Sequence, residues 1–211
     1  MDYTLKVFQD LLATTEGRDK LLKGAGAGVR VLAERSGSKD QVAFAANISQ
    51  ARSIMRLASW ISNLDRIRAL LANGSVSPTD FVMILRIVGD GVYSFFDNLA
   101  FIGKHYKWDK MRLDATVHRS FIGMFWGFFF AVLLDVHALF TMDNTSFDFK
   151  KTWRSRVLLL TRNFCDMLAA LSNVKYLNAV ALSATAVGYL GVISASISTF
   201  ENWNKAAAKV K

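Results

Sequence analysis

The chain has 211 residues, of which 52% are hydrophobic and 20% are charged, and its formal net charge is +9. Soluble domains usually hold about 45–50% apolar and about 25% charged residues, so this balance is more typical of a membrane-associated protein. The single cysteine, Cys165, excludes an internal disulfide framework and a multi-cysteine metal cluster. Proline breaks helices and marks turns, and the chain has one, Pro78, so we predict an all-α fold built from long helices.

Residues 1–119 are predicted to form amphipathic helices apposed to the cytosolic face of a membrane. In the first segment the apolar residues Leu5, Phe8 and Leu12 recur at i, i+3 and i+7, which is typical of one face of a helix. Charged residues interrupt the apolar runs before Ser36, so we expect no secretory signal peptide in this part of the chain.

Residues 40–72 are predicted to form one helix with two unlike faces. At about 100° per residue, arginines gather along one stripe and large apolar residues gather on the opposite side. The apolar side of such a helix enters the headgroup boundary of an anionic membrane while the arginines contact lipid phosphates. We predict that residues 49–72 act as a membrane wedge; packing of the same face on neighbouring helices is the alternative. The predicted membrane-binding residues are Arg52, Ile54, Arg56, Leu57, Trp60, Ile61, Leu64 and Arg66.

The next helix is predicted to begin at Ser77-Pro78-Thr79-Asp80, a sequence typical of a helix N-terminus. Residues 81–103 are apolar, yet they include Arg86, Asp90 and Asp97. Each charge at the middle of a bilayer costs about 2.5–3.5 kcal/mol, so three of them argue against a span exposed to lipid. We therefore predict a packed or embedded helix at this point of the chain.

Two transmembrane helices are predicted, at residues 120–142 and 177–200. The first is long enough at about 1.5 Å per residue to cross the hydrocarbon core, and the second contains no charged residue. A basic amphipathic segment, 143–176, connects them, and 201–211 form a short basic cytosolic tail. Basic residues are slightly more numerous beside the outer ends of the two spans, which favours both termini in the cytosol. Pairs of small residues spaced four apart predict close helix–helix packing in the second span: Ala184 with Gly188, and Gly191 with Ala195.

No motif for catalysis, cofactor binding or metal binding is recognisable, so we predict a protein that is not an enzyme and needs no cofactor. The histidines lack the spacing of metal ligands. A positive net charge favours either nucleic acid or anionic lipid as a partner. We predict anionic phospholipid and no nucleic acid, because the basic helix has an apolar opposite face.

Two other functions stay open at this point. Ionisable residues inside a membrane often line a transport path, so a small-solute channel or transport-associated protein is one alternative. A passive scaffold, whose helices only assemble partners, is the other. The residues of the polar path would be Arg86, Asp90, Asp97, Asp135 and His137.

Four short elements, in order along the chain, resemble the peroxin-11 family of peroxisomal membrane proteins. Residues 15–22 are similar to its T-x-G-R-D-K signature, and residues 51–57 to the R-K-x-x-R-L-G-K element that opens its membrane-inserting helix. Residues 90–108 resemble its apolar Y-x-x-x-D region, and residues 162–168 its N-x-C-D-x-L element. The residues of the N-terminal motif are Thr15, Gly17, Arg18, Asp19 and Lys20.

The resemblance implies a multi-pass protein of the peroxisomal membrane, or of the glycosome, a peroxisome modified to house glycolysis. It also implies promotion of organelle elongation and fission, homo-oligomers, recruitment of fission machinery, and both termini in the cytosol. The chain departs from the family pattern at Ser53, which replaces a basic residue, and at Ala58-Ser59, which replace a glycine–lysine pair. The glycine-rich run from Gly24 to Gly28 replaces larger residues after the first motif.

Overall fold

The computed structural model of the protein describes residues 2–72, 74–174 and 182–210. These residues form helices joined by short turns, and no strand occurs among them, which confirms the predicted all-α fold. In chain order the helices are α1 (Tyr3–Ala13), α2 (Thr15–Ser36), α3 (Lys39–Met55), α4 (Trp60–Leu71), α5 (Pro78–His105), α6 (Lys110–Phe140), α7 (Phe149–Val174) and α8 (Ala184–Val210).

Side-chain caps explain where two of these helices begin. The Thr14 hydroxyl accepts a hydrogen bond from the Gly17 backbone N–H at 3.0 Å, which lets α2 start directly after α1 ends. At the start of α5, Ser77 and Asp80 form a capping box and Pro78 lies in the first turn, so the predicted N-terminal sequence is confirmed. Such caps satisfy backbone N–H groups that have no partner inside the helix.

The prediction of one helix over residues 40–72 is wrong, because the chain turns between α3 and α4. Ala58 has a φ of +60°, in the left-handed region, and the Ser59 N–H donates to the Arg56 carbonyl at 3.0 Å. The side-chain amide of Asn98 donates to the same carbonyl at 3.2 Å. A tertiary hydrogen bond thus binds a carbonyl oxygen that a continuous helix would use, and the periodicity of the sequence does not reveal this competition.

The chain divides into two compact units, and the boundary lies at the end of α3. The first unit holds α1, α2, α3 and α8. Helix α2 packs on both α3 and α8: a Cβ added at Gly26 would lie 3.1 Å from Ile48 of α3, and one at Gly24 would lie 3.4 Å from the Ala195 Cβ of α8. Helix α1 packs on the C-terminal part of α8.

The second unit holds α4, α5, α6 and α7. Helices α5 and α6 are antiparallel, and their backbones touch: a Cβ added at Gly89 would lie 2.5 Å from the Gly127 backbone nitrogen. Because real Cβ atoms do not approach so closely, only a glycine at position 89 permits this contact. Helix α4 packs on α5, and α7 packs on α6.

Among the described residues two helices, α6 and α7, are long and apolar enough to cross a membrane. In their most apolar 18-residue windows, 22% of α6 and 33% of α7 is buried, whereas the core helix of a soluble protein is mostly buried. These helices therefore confirm the predicted class of fold, with about two helices of membrane-spanning character. The span predicted at residues 120–142 corresponds to the second part of α6, which ends at Phe140.

Helix α7 falls within residues 143–176, which the sequence analysis assigns to the connecting segment. Basic residues in its first two turns hide the apolar stretch that follows from Val157 when the segment is judged by composition: Lys150, Lys151, Arg154 and Arg156. The span predicted at residues 177–200 begins outside the described residues. From Ala184 onward it forms the first part of α8.

Candidate functional site

The predicted membrane-binding residues lie at the end of α3, in the turn that follows, and in α4. Arg52 and Ile54 belong to the first unit, and the residues from Arg56 to Arg66 belong to the second. In each unit one arginine of this set is bound by a carboxylate from another helix. The arginines therefore help to hold the protein together, in addition to any contact with lipid.

In the first unit Arg52 binds Asp19 of the N-terminal motif. Its Nε lies 2.9 Å from Asp19 Oδ1 and its Nη2 lies 3.4 Å from Oδ2, a two-pronged geometry that fits a carboxylate closely. Asp19 is 6% exposed, and the Lys20 ammonium lies 3.6 Å from its Oδ2. The pair joins two sequence elements that the family resemblance identifies separately, and their spacing along the chain gives no sign of this contact.

The other motif residues divide between an inner and an outer side of α2. Gly17 is buried at the junction with α1, where an added Cβ would lie 2.8 Å from the Thr14 hydroxyl. Thr15 and Arg18 are exposed. The inner residues, Gly17 and Asp19, therefore hold helices together, while the outer ones face away from the unit.

In the second unit Arg56 binds Asp97 of α5. Its Nη2 lies 3.0 Å from Asp97 Oδ2, and its guanidinium carbon lies 5.6 Å from the centre of the Tyr93 ring. The two charged side chains are 18% and 20% exposed, so solvent screens the pair only in part. Together with the Asn98 hydrogen bond, this pair holds the turn before α4 on α5.

The large apolar residues of the predicted wedge point outward. Ile54, Leu57, Ile61 and Leu64 are between 50% and 56% exposed.

On the other face of α4, Asn63 is 8% exposed and Trp60 packs edge-on against Phe95, with the ring centres 5.7 Å apart. Arg66 is exposed, and its Nη1 lies 3.5 Å from the side-chain oxygen of Asn63. The helix therefore buries part of its polar face and exposes its apolar face, the reverse of a helix packed on a water-soluble core.

The start of α4 lies at the level where the uncharged stretch of α6 begins. Trp60 contacts Phe95 of α5, and the guanidinium of Arg119 in α6 lies 5.7 Å from the ring centre of the neighbouring Phe96. Ser120 opens the uncharged stretch of α6, so Arg119 marks the headgroup level when α6 crosses a membrane. An amphipathic helix beginning at this level has its apolar side at the headgroup boundary.

A buried hydrogen bond joins α6 and α7, the two candidate spans. The Asn163 side-chain amide donates to Asp135 Oδ2 at 2.6 Å, and the two residues are 1% and 3% exposed. Cys165 and Asp166, from the same sequence element as Asn163, are also buried. The element that resembles N-x-C-D-x-L therefore faces the neighbouring span, where side-chain hydrogen bonds replace water.

The remaining residues of the predicted polar path also lie against neighbouring helices or at the surface. Arg86 interacts electrostatically with Asp135. The Asp90 carboxylate packs on the backbone of α6, with Oδ1 2.7 Å from the position that a Cβ on Gly127 would take. His137 is exposed and lines a groove with the start of α5. Within the described parts of the chain, no group of three or more His, Cys, Asp or Glu side chains is placed to hold a metal ion.

The small residues predicted for helix–helix packing lie mostly against α2 of the same chain. A Cβ added at Gly191 would lie 3.1 Å from the Ala27 Cβ, and Ala184 is exposed. The members that contact α2 are Gly188, Gly191 and Ala195. The glycine-rich run of α2, which departs from the family pattern, supplies the small residues on the other side of this contact.

Comparison with known proteins agrees with this arrangement of elements. The family model described as peroxisomal biogenesis factor 11 (PEX11) matches residues 5–150 and 141–203. Peroxisomal membrane protein 11-3 of Oryza sativa subsp. japonica is 23% identical over 214 residues, which cover 92% of this chain and 86% of the relative. No solved structure matches the chain.

Proposed function

This chain belongs to the peroxisomal biogenesis factor 11 family and has a role at the peroxisomal membrane, and from that premise we propose that it elongates and divides the organelle by wedging α4 into one leaflet. The observation that carries the proposal is the outward position of Leu57, Ile61 and Leu64, which are 50–56% exposed while Asn63 on the opposite face is buried. Apolar area left in water costs about 25 cal/mol per Å², and insertion into the headgroup boundary removes that cost.

The expected mechanism follows from the depth at which α4 begins. A helix that inserts at the headgroup boundary of one leaflet expands that leaflet relative to the other, which favours curvature. Arg66 is exposed on α4 and supplies a cation for lipid phosphates. Arg56 is held by Asp97, so lipid phosphates and this carboxylate compete for the same guanidinium.

The proposal is tested by microscopy of peroxisome number and length in cells that lack the protein or overproduce it. Depletion is expected to give fewer, larger organelles, and overproduction to give more numerous or longer ones. In the depleted cells, a full-length variant carrying Ile61→Ser and Leu64→Ser is expected not to restore the normal number.

The matched control carries Val42→Ser and Phe44→Ser. These α3 side chains are each 57% exposed, so the control removes a similar exposed apolar area outside the wedge. The control is expected to restore organelle number fully. Equal rescue by both variants, with equal protein levels, would refute the wedge mechanism.

The family resemblance also implies self-association, recruitment of fission machinery and both termini in the cytosol, and we include these in the proposal. The distribution of basic residues around the predicted spans supports the cytosolic termini. Protease treatment of intact organelles checks this: tags at both ends should be removed while matrix proteins stay protected. Whether the organelle is a glycosome is decided by which matrix enzymes it contains.

A small-solute channel is the second candidate function, and the buried contact between Asp135 and Asn163 favours it because it places polar groups between two candidate spans. Unchanged organelle shape with altered metabolite flux after depletion would support this candidate. So would conductance of the reconstituted protein that is lost in the Asp90→Ala variant.

A further inference from the structure

Helix α5 presents one apolar edge away from its neighbours. Seven residues make about two helical turns, so side chains at this spacing lie along one line. The side chains between residues 81 and 103 that are exposed follow this spacing and are 40–56% exposed: Phe81, Val88, Phe95 and Ile102. These four residues are named the α5 stripe.

The charges of α5 point elsewhere. Asp97 binds Arg56 of α4, and Asp90 packs on the backbone of α6 beside Gly127. Arg86 interacts electrostatically with Asp135 of α6. The three residues that argue against a span therefore have protein partners, and none belongs to the α5 stripe.

Contact with α6 sets the depth of α5. The backbones touch at Gly89 and Gly127, and Arg119 lies over the Phe96 ring farther along the same pair of helices. Gly127 lies in the middle of the uncharged stretch of α6, residues 120–134. Antiparallel helices in contact at both points share their depth, so Val88 lies near mid-bilayer whenever α6 crosses the membrane.

We propose that α5 is embedded in the bilayer beside α6 and that the α5 stripe contacts lipid hydrocarbon. Helix α6 shows the same outward arrangement, with Trp126, Leu133 and Phe140 exposed at seven-residue spacing, so the stripe continues a surface of the same character. A charge that is paired inside the helix bundle avoids most of the cost that an unpaired charge has in lipid. Counting charges along the sequence therefore underestimates how well α5 fits a membrane.

The test is a spin-label measurement on the full-length protein reconstituted in phosphatidylcholine vesicles. Labels are attached at Val88→Cys, with Leu133→Cys as the lipid reference and Lys39→Cys as the water reference. All variants carry Cys165→Ala, because Cys165 is the natural cysteine. Collision with oxygen, which partitions into lipid, is compared with collision by a water-soluble nickel complex.

The label at position 88 is expected to match position 133 and to exceed position 39 at least tenfold in the oxygen-to-nickel collision ratio. A ratio equal to that at position 39 would overturn the proposal, because the stripe would then face water. Low access to both reagents together with strong coupling between labels would also overturn it, since a second copy of the chain would then cover the stripe.

A charge substitution gives a second measurement that needs no label. Val88→Asp is expected to reduce the fraction of protein that resists alkaline extraction from membranes on the order of a hundredfold in its partition ratio, because an unpaired charge then faces hydrocarbon. Val42→Asp, at an exposed position of α3, is the control and is expected to leave extraction unchanged. Equal extraction of the two variants would contradict the proposal.

Discussion

Helices α5 and α6 lie antiparallel and in contact, and both expose large apolar side chains every seven residues, yet their sequences differ in charge. The central part of α6 is uncharged from residue 120 to 134, whereas α5 carries Arg86, Asp90 and Asp97 over the matching length. Both helices direct their charges at neighbouring helices. The comparison teaches that the number of charges in a helix matters less than whether each has a protein partner.

The largest expected effect comes from the glycine contact that brings the two helices together. Gly89→Ala places a Cβ 2.5 Å from the Gly127 nitrogen, so the backbones must separate, and we expect a loss of about 3 kcal/mol in the free energy of unfolding. Gly91→Ala is the matched control two residues away, because its Cβ would lie 3.7 Å from the Asn63 amide, an ordinary contact. It is expected to be neutral or to stabilise by up to about 1 kcal/mol.

Unfolding of both variants in detergent micelles, followed by circular dichroism during titration with sodium dodecyl sulfate, measures this difference. Equal stability of the two variants would show that close backbone contact does not set the position of α5 on α6.

A smaller effect is expected at the other contact of α6, where a charge rather than a glycine meets the neighbouring helix. Asn163→Leu leaves the buried Asp135 carboxylate without its amide donor at 2.6 Å, and we expect a loss of roughly 2 kcal/mol. Asn173→Leu, on the same helix, is the control because Asn173 is exposed and bonds the Ala169 carbonyl of its own helix. The same titration measures both, and an equal loss would mean that Asp135 does not depend on this partner.

The smallest effect is expected from the partly exposed pair on α5. Asp97→Asn removes the charge that binds Arg56, and solvent screening limits the expected loss to about 1 kcal/mol. Because Arg56 is then available to lipid phosphates, binding of the full-length protein to anionic lipid should rise relative to the parent.

Asp65→Asn makes the same change on the exposed side of α4 and is the control. Enrichment of phosphatidylserine around the protein in mixed-lipid nanodiscs gives the readout. No difference between the two variants would show that Asp97 does not restrain Arg56.

Much of the local structure was predictable, because it depends on neighbouring residues. The start of α5 follows from the cap at Ser77 and Asp80 with proline in the first turn. The membrane-spanning character of the second part of α6 follows from its long uncharged stretch. By contrast, the turn before α4 was missed because its cause is a side chain 42 residues away, Asn98, which binds the Arg56 carbonyl.

The candidate site was predictable in composition but not in arrangement. Periodicity correctly separated the arginines from Ile61 and Leu64, and these two apolar residues are indeed half exposed. The partners of the arginines, Asp19 and Asp97, come from other helices, and helical spacing within one segment carries no information about them.

Sequence alone was enough to establish a helical protein of membrane-spanning character and its family elements, because hydrophobicity, helix capping and short motifs act over a few turns of chain. Tertiary structure alone decided which charges have partners, where the wedge helix is interrupted, and which edge of α5 is left open. The physical reason is that the cost of a charge or of an exposed apolar side chain depends on what lies against it, and that neighbour is brought there by folding.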